Sequence, residues 1–218
     1  MEIKAVIFDM DGLMFDTESL WFSDEILTYI KEKYHITADM MKKAIGVNSK
    51  TTEKILKEEL GYDFSYESFY RDCYQIIDNI IKKEGLGIKK GLIELLSFLK
   101  ENGYKIAIAS SSKVERIHSC LEKTNINPNT FDVIMSGEHV INGKPNPEIF
   151  IKTAQKLNVK ADNTLILEDS NNGIKSAFDS GSIPILIPDI DIIRDETEKM
   201  AYKKLNNLLE VIDLLKNH

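Results

Sequence analysis

The chain has 218 residues, 43% of them hydrophobic and 29% charged, with a formal net charge of −7. That length supports one or two domains with a sizeable core. The acidic balance, with no Lys/Arg block, argues against a nucleic-acid polymer as partner, and no run of about 18 apolar residues offers a membrane span.

Residues 3–9 read as a strand, and the chain opens on this pattern rather than on a secretory leader, so a cytoplasmic setting is expected. From Glu18 to Glu84 apolar residues recur at three- and four-residue spacing, as in Leu20, Ile26, Leu27, Ile30 and in Phe69, Ile76, Ile77, Ile80. That period predicts helices throughout. Cys73 and Cys120 fall in helix-like stretches without a CxxC partner, as expected of buried free thiols in a reducing compartment. After Gly85-Leu86-Gly87 the texture changes to alternating helices and short strands. Helices are predicted over 92–101, 113–123, 146–157, 171–180 and 203–216. Strands are predicted over 105–109, 131–134, 164–167 and 183–187, the last near a sheet edge because it contains Pro184. Such alternation predicts an α/β fold, a Rossmann-like parallel sheet covered on both faces. The division expected is a catalytic core of 1–16 and 87–218, interrupted by a four-helix-type cap over 17–86.

Ligands of parallel sheets sit beyond the carboxyl ends of the strands, which directs attention to four loops. They carry Asp9, Asp11 and Gly12; Ser110, Ser111 and Ser112; Gly143-Lys144-Pro145; and Glu168-Asp169-Ser170. Asp9 and Asp11, two apart on an extended segment, point to one side. Like charges held so close are uncomfortable without a metal, a proton or a substrate. Acid pair, hydroxyl, lysine and acid pair together describe a metal-assisted phosphate site. A carboxylate can attack phosphorus, and a hard divalent cation such as Mg2+ suits oxygen ligands from Asp9 and Asp169. Lys144 would neutralise phosphate charge, Ser110 and nearby backbone amides would hold its oxygens, and Asp11 is placed to move the proton.

Each loop taken alone has a plainer explanation. The serines and Glu168-Asp169-Ser170 precede helices and are ordinary capping chemistry, and Lys144 could be a surface lysine beside a turn. Their occurrence in order on four successive strand ends is what favours a site.

In these motifs the chain resembles the haloacid dehalogenase-like hydrolase superfamily, in its helical-cap branch of β-phosphoglucomutase-like enzymes and sugar-phosphate phosphatases. Asp9-Met10-Asp11-Gly12-Leu13-Met14-Phe15-Asp16-Thr17 matches the first motif, Ser110 the second, Lys144 the third and Glu168-Asp169 the fourth. The resemblance implies that Asp9 is the nucleophile and Asp11 the acid/base. It also implies Mg2+ on the Asp9 side chain, the Asp11 carbonyl and Asp169, with Glu168 in the first or second coordination shell. Gly12 and Ser111 are candidate substrate contacts. So are Trp21 and Lys50 of the cap, although Trp21 also reads as cap packing and Lys50 as a solvated helix-start lysine.

Dehalogenation is disfavoured, because Asp11 stands where phosphoryl-transferring members carry an acid. The mutase branch carries a histidine where Trp21 stands and a phosphate-gripping arginine where Ser49 stands. Lysine, which follows at position 50, is a poorer fork than arginine. The expected activity is therefore an Mg2+-dependent phosphatase of a small phosphorylated metabolite, most simply a sugar phosphate, acting through an aspartyl-phosphate. Its alternatives are a phosphosugar mutase and a non-catalytic phosphate-binding regulator. The cap is expected to close on the linkers Leu13–Thr17 and Gly85–Lys89, and specificity to reside around Gly46–Lys50. Nothing in the sequence calls for more than a monomer.

Overall fold

A computed structural model describes residues 2–45 and 49–217, so Gly46, Val47 and Asn48 of the loop expected to set specificity lie outside the described residues. Two compact units divide the chain: Met1–Asp16 with Gly87–His218, and Thr17–Leu86.

The first unit is an α/β sheet. Its strands are β1 (Ala5–Phe8), β2 (Lys105–Ser110), β3 (Val133–Ser136), β4 (Thr164–Glu168), β5 (Ile183–Leu186) and β6 (Lys203–Lys204). All pair in parallel, in the order β3-β2-β1-β4-β5-β6. The order reverses at β1, whose carboxyl end is therefore the switch point where such sheets bind ligands. Strands β1, β4 and β5 are buried along their whole length, as parallel strands are when helices cover both faces. Five helices follow the strands: α5 (Leu92–Glu101), α6 (Val114–Lys123), α7 (Glu148–Leu157), α8 (Asn171–Asp179) and α10 (Leu209–Lys216), with a short α9 (Asp195–Met200) between β5 and β6. On one face Ala5, Ile7, Ala107, Ala109, Met135 and Ile166 pack against Ile149, Phe150 and Leu157 of α7 and Ala177 of α8. Each large side chain buried there contributes about 1.5–3 kcal/mol.

Most elements fall where the sequence places them, with four differences. The third strand begins at Val133 and α7 at Glu148, each two residues late. The stretch 203–208 is not helix: Lys203 and Lys204 pair with β5, and Asn207 Oδ1 accepts from Leu209 N to start α10. Helix α9 was not anticipated. Pro184 lies on a strand paired on both sides. Its carbonyl accepts from Tyr202 N, so its missing donor faces the two-residue edge strand, where no ladder bond is lost.

The second unit holds, among the described residues, α1 (Asp24–Tyr34), α2 (Ala38–Lys42), α3 (Ser49–Leu60) and α4 (Tyr66–Glu84). Helices α1 and α4 bury Ile26 and Ile30, and Phe69, Cys73, Ile77, Ile80 and Ile81. The free thiols of Cys73 and Cys120 are buried. Asp72 on α4 accepts from Lys33 Nζ (2.6 Å), Tyr34 OH (2.6 Å) and Tyr29 OH (3.0 Å), tying α1 to α4. Among the described residues, no helix is long and apolar enough to cross a membrane.

The hydrogen bond from Lys33 is the largest influence on the Asp72 carboxyl, and with those from the tyrosines it holds the group well below the usual carboxylate range. A depressed folded-state pKa contributes fully above the unfolded value of about 4, and the contribution is lost progressively as pH falls from there toward the depressed folded value. Asp72→Asn should therefore lower the denaturation midpoint at neutral pH, and the gap to wild type should narrow steadily below about pH 4. Urea unfolding followed by circular dichroism at both pH values tests this. A gap of equal size at pH 7 and pH 3 would show that the charge on Asp72 contributes nothing.

Candidate active site

The apolar strand β1 stops at Phe8, and the backbone then turns sharply: Gly12 N donates to Phe15 O, and Met14 N and Phe15 N donate to Met10 O. Gly12 adopts φ +85°, and a β-carbon there would stand 2.3 Å from Asp169 Oδ2. Both the backbone angle and the approach of Asp169 require glycine. The turn holds Asp9 and Asp11 at the carboxyl end of β1, but their carboxylates take different partners.

Asp9 Oδ1 accepts from Lys144 Nζ at 2.5 Å. The same ammonium donates to Ala109 O at 3.0 Å and to Glu168 Oε1 at 2.6 Å, which uses all three of its protons. Burial alone would push Lys144 down; the Asp9 and Glu168 carboxylates outweigh it and hold the group above the ordinary lysine value. Burial raises Asp9 in turn, with Glu168 and Asp11 adding to the rise and Lys144 opposing it.

Glu168 ends β4, fully buried. Its Oε2 accepts from Asp169 N (3.1 Å), Ser170 N (3.3 Å) and Ser170 Oγ (3.1 Å), while Ser170 Oγ accepts from Gly173 N to cap α8. A carboxylate at a helix N-terminus is stabilised by the helix dipole and the unpaired N–H groups. Gly173 makes the nest possible, since a β-carbon there would fall within 2.0 Å of the Glu168 carboxylate. One carboxylate oxygen from each of Asp9, Glu168 and Asp169 lies within 4.8 Å of the others. This all-oxygen donor set suits a hard divalent cation.

Asp11 Oδ2 accepts from Ser112 Oγ, and Oδ1 from Arg116 Nη2, both at 2.8 Å. The discomfort of paired aspartates is thus relieved from within the chain, by Lys144 on one and Arg116 on the other. Arg116 was missed in the sequence. The available signal was a cation in the first turn of α6, where the helix dipole disfavours positive charge.

Ser110 closes β2, buried, and its Oγ accepts from Ser112 N. None of the three serines caps α6: Lys113 holds the N-cap position, and Glu138 accepts from Val114 N. Ser111 is exposed beside Gly137, whose β-carbon would stand 2.6 Å from the Ser111 carbonyl. Asp9, Asp11, Gly12, Ser110, Lys144, Glu168 and Asp169 all come to the same end of the sheet. Trp21 and Lys50 belong to the helical unit. Trp21 packs edge-on to Tyr74 at 5.4 Å and against Tyr70 at 5.8 Å, and Lys50 is exposed at the start of α3. Also missed were Glu148, whose carboxylate takes Ile141 N and Asn142 N and so fixes the loop before Lys144, and Asp189, beyond β5.

Comparison with known proteins bears on this geometry. A family model described as haloacid dehalogenase-like hydrolase matches residues 6–186. The phosphorylated carbohydrates phosphatase of Thermotoga maritima is 33% identical over 181 residues, 82% of each chain. Hexitol phosphatase B of Escherichia coli K12 is 26% identical over 96% of this chain and 95% of its own. The crystal structure of β-phosphoglucomutase from Clostridium difficile superposes with a TM-score of 0.79 over 99% of this chain and 96% of that one; at 23% identity the likeness speaks to the fold. The chain belongs to the haloacid dehalogenase-like hydrolase family.

Proposed function

We propose that this protein is an Mg2+-dependent phosphatase of a small phosphorylated metabolite, most simply a sugar phosphate, and that it works through an aspartyl-phosphate on Asp9. The observation that carries the reading is the meeting of Asp9, Glu168 and Asp169 at the sheet's switch point, with the Lys144 ammonium bonded to the first two. The Thermotoga and Escherichia relatives, named as phosphatases of phosphorylated carbohydrates and of hexitols, support the substrate class.

Asp9 and Asp169, with the Asp11 main-chain carbonyl, are the groups that would hold the ion. Both Glu168 oxygens already accept hydrogen bonds, so its part is to anchor Lys144. When bound, Mg2+ offsets the charge of the carboxylates and of the incoming phosphate and lowers the proton affinity of Asp9.

Asp9 attacks phosphorus, the bond from phosphorus to the bridging oxygen breaks, and Asp11 gives that oxygen a proton. Asp11 next takes a proton from water, which attacks the acyl phosphate and releases inorganic phosphate and Asp9. Lys144 keeps Asp9 oriented and balances charge gathering on the phosphoryl oxygens. Ser110 and Ser111 supply further donors, Gly12 leaves room for the phosphoryl group to approach the backbone, and Arg116 and Ser112 fix the rotamer of Asp11. Trp21 and Lys50 are the helical unit's candidate substrate contacts.

The direct assay incubates the protein with Mg2+ and a panel of sugar and polyol phosphates, following free phosphate and, in parallel, glucose 6-phosphate formed from β-glucose 1-phosphate. Phosphate release from one or a few substrates without isomer is expected. Isomer without phosphate would establish the mutase instead. Asp9→Asn should abolish turnover with an unchanged circular dichroism spectrum, and substantial residual activity would sink the nucleophile assignment.

Lys144→Met probes the same centre differently. Leaving Asp9 and Glu168 buried without their cation should cost about 3–5 kcal/mol of stability at neutral pH. Turnover of the folded fraction should fall about 100-fold or more, the scale of losing one charge-stabilising donor. A variant that keeps wild-type kcat rules Lys144 out of the reaction.

A further inference from the structure

Beyond β5 the chain runs through residues 187–194 before α9, and this loop is built upon the turn that follows β4. Ile187 N donates to Glu168 O at 2.8 Å. Asn171, the first residue of α8, donates from Nδ2 to Asp191 Oδ2 (2.8 Å) and Ile192 O (2.9 Å). Its N–H donates to Asp191 Oδ2 (3.2 Å), and its Oδ1 accepts from Arg194 N (3.0 Å). The segment that presents Asp169 therefore also fixes the loop that presents Asp189.

Asp189 Oδ1 accepts from Lys89 Nζ at 2.6 Å, and Lys89 also reaches Asp16 Oδ1 at 3.3 Å. Asp189 Oδ2 is buried and meets no donor among the described residues. A β-carbon built on Gly12 would stand 3.2 Å from this oxygen and 2.3 Å from Asp169 Oδ2, so both carboxylates crowd the space that the glycine leaves open. A buried carboxylate oxygen without a donor costs its full desolvation, and a second carboxylate close by adds repulsion. A group arriving with donors removes both costs. Mg2+ keeps several of its waters when proteins bind it, and each bound water is a polarised donor in need of an acceptor.

We propose that Asp189 is a positioning residue for the divalent ion, its Oδ2 accepting a hydrogen bond from a water in the ion's coordination sphere. Lys89 takes Oδ1 and so leaves Oδ2 as the acceptor facing Gly12. The inference rests on the metal reading above and extends it to a residue outside the four motifs.

The test uses Mn2+ as a probe ion of similar oxygen preference, titrated into the whole protein without substrate while electron paramagnetic resonance reads the free ion. Wild type, Asp189→Asn and Lys89→Met are compared after circular dichroism shows each folded. Asp189→Asn should raise the Mn2+ dissociation constant about 10- to 100-fold, the usual consequence of losing an outer-shell partner. Lys89→Met, which removes only a cation, should bind Mn2+ at least as tightly as wild type. Equal affinity of wild type and Asp189→Asn overturns the proposal. Equal weakening by Lys89→Met overturns it too, since Asp189 would then act only through its ion pair. If wild type itself binds no Mn2+, the metal reading falls and takes this inference with it. Should Asp189→Asn not fold, Asp189→Ser is read in the same titration.

Discussion

Three acceptors from three strands converge on the Lys144 ammonium: Asp9 beyond β1, the Ala109 carbonyl of β2 and Glu168 at the end of β4. Lys144 itself comes from the loop after β3. A charge taken out of water costs several kcal/mol unless its partners are well placed, so the four loops have to hold their relative positions for the ammonium to be tolerated. The neighbourhood is organised to that end. Glu148, pushed down to about 2 chiefly by Lys152 and also by the Ile141 and Asn142 amides, stays ionised and pins the loop from which Lys144 reaches inward. The α8 N-terminus and Gly173 give Glu168 its nest. Around this centre the helices supply an apolar wall, with the Phe150 ring 4.8 Å from the Lys144 nitrogen.

Among the described residues, two of the cations at this end of the sheet each face two acids. Lys144 serves Asp9 and Glu168, Lys89 serves Asp16 and Asp189, and Arg116 serves Asp11. In a low-dielectric setting such crowding of carboxylates is relieved by protonation or by a cation. Burial, with the nearby Glu168 and Asp11 carboxylates, pushes Asp9 toward the first of these solutions, against the pull of Lys144. A divalent cation is the second, and it would leave Asp9 ionised.

How far the sequence shows this depends on whether a residue's role is set by its own strand or by a distant one. Strands β1, β2 and β4 are apolar runs closed by polar residues, and periodicity with the strand-end rule reads them directly. Asp9 and Glu168 lie at strand ends and Lys144 in the loop that follows β3, so the same rule brings all three to one end of the sheet. Arg116 lies within a helix and Glu148 at a helix start, where an amphipathic pattern explains any charge. Their partners are 105 residues away in one case and six or seven in the other. Asp189, just beyond β5, falls under the same strand-end rule. The stretch 203–208 was misread because Lys203-Lys204 carries no strand propensity. Its pairing with β5 comes from the sheet edge beside Pro184 rather than from its own residues.

The two kinds of residue also answer to different demands. Along β1 and β4 local propensity, burial and register all agree, and there the structure has little reason to deviate from its pattern. At the strand ends they conflict: Gly12 and Gly173 give up chain stiffness so that carboxylates can approach the backbone, and acids crowd where apolar contact would be more stable. Such a concentration of cost at one end of an otherwise consistent sheet is difficult to explain as structure alone. It is what a site looks like whose stability is completed by a ligand, because binding to the folded state returns free energy that crowded carboxylates forfeit. The consistent part of the sheet thus provides the rigidity, and the strained end gathers the charge that a bound cation would offset.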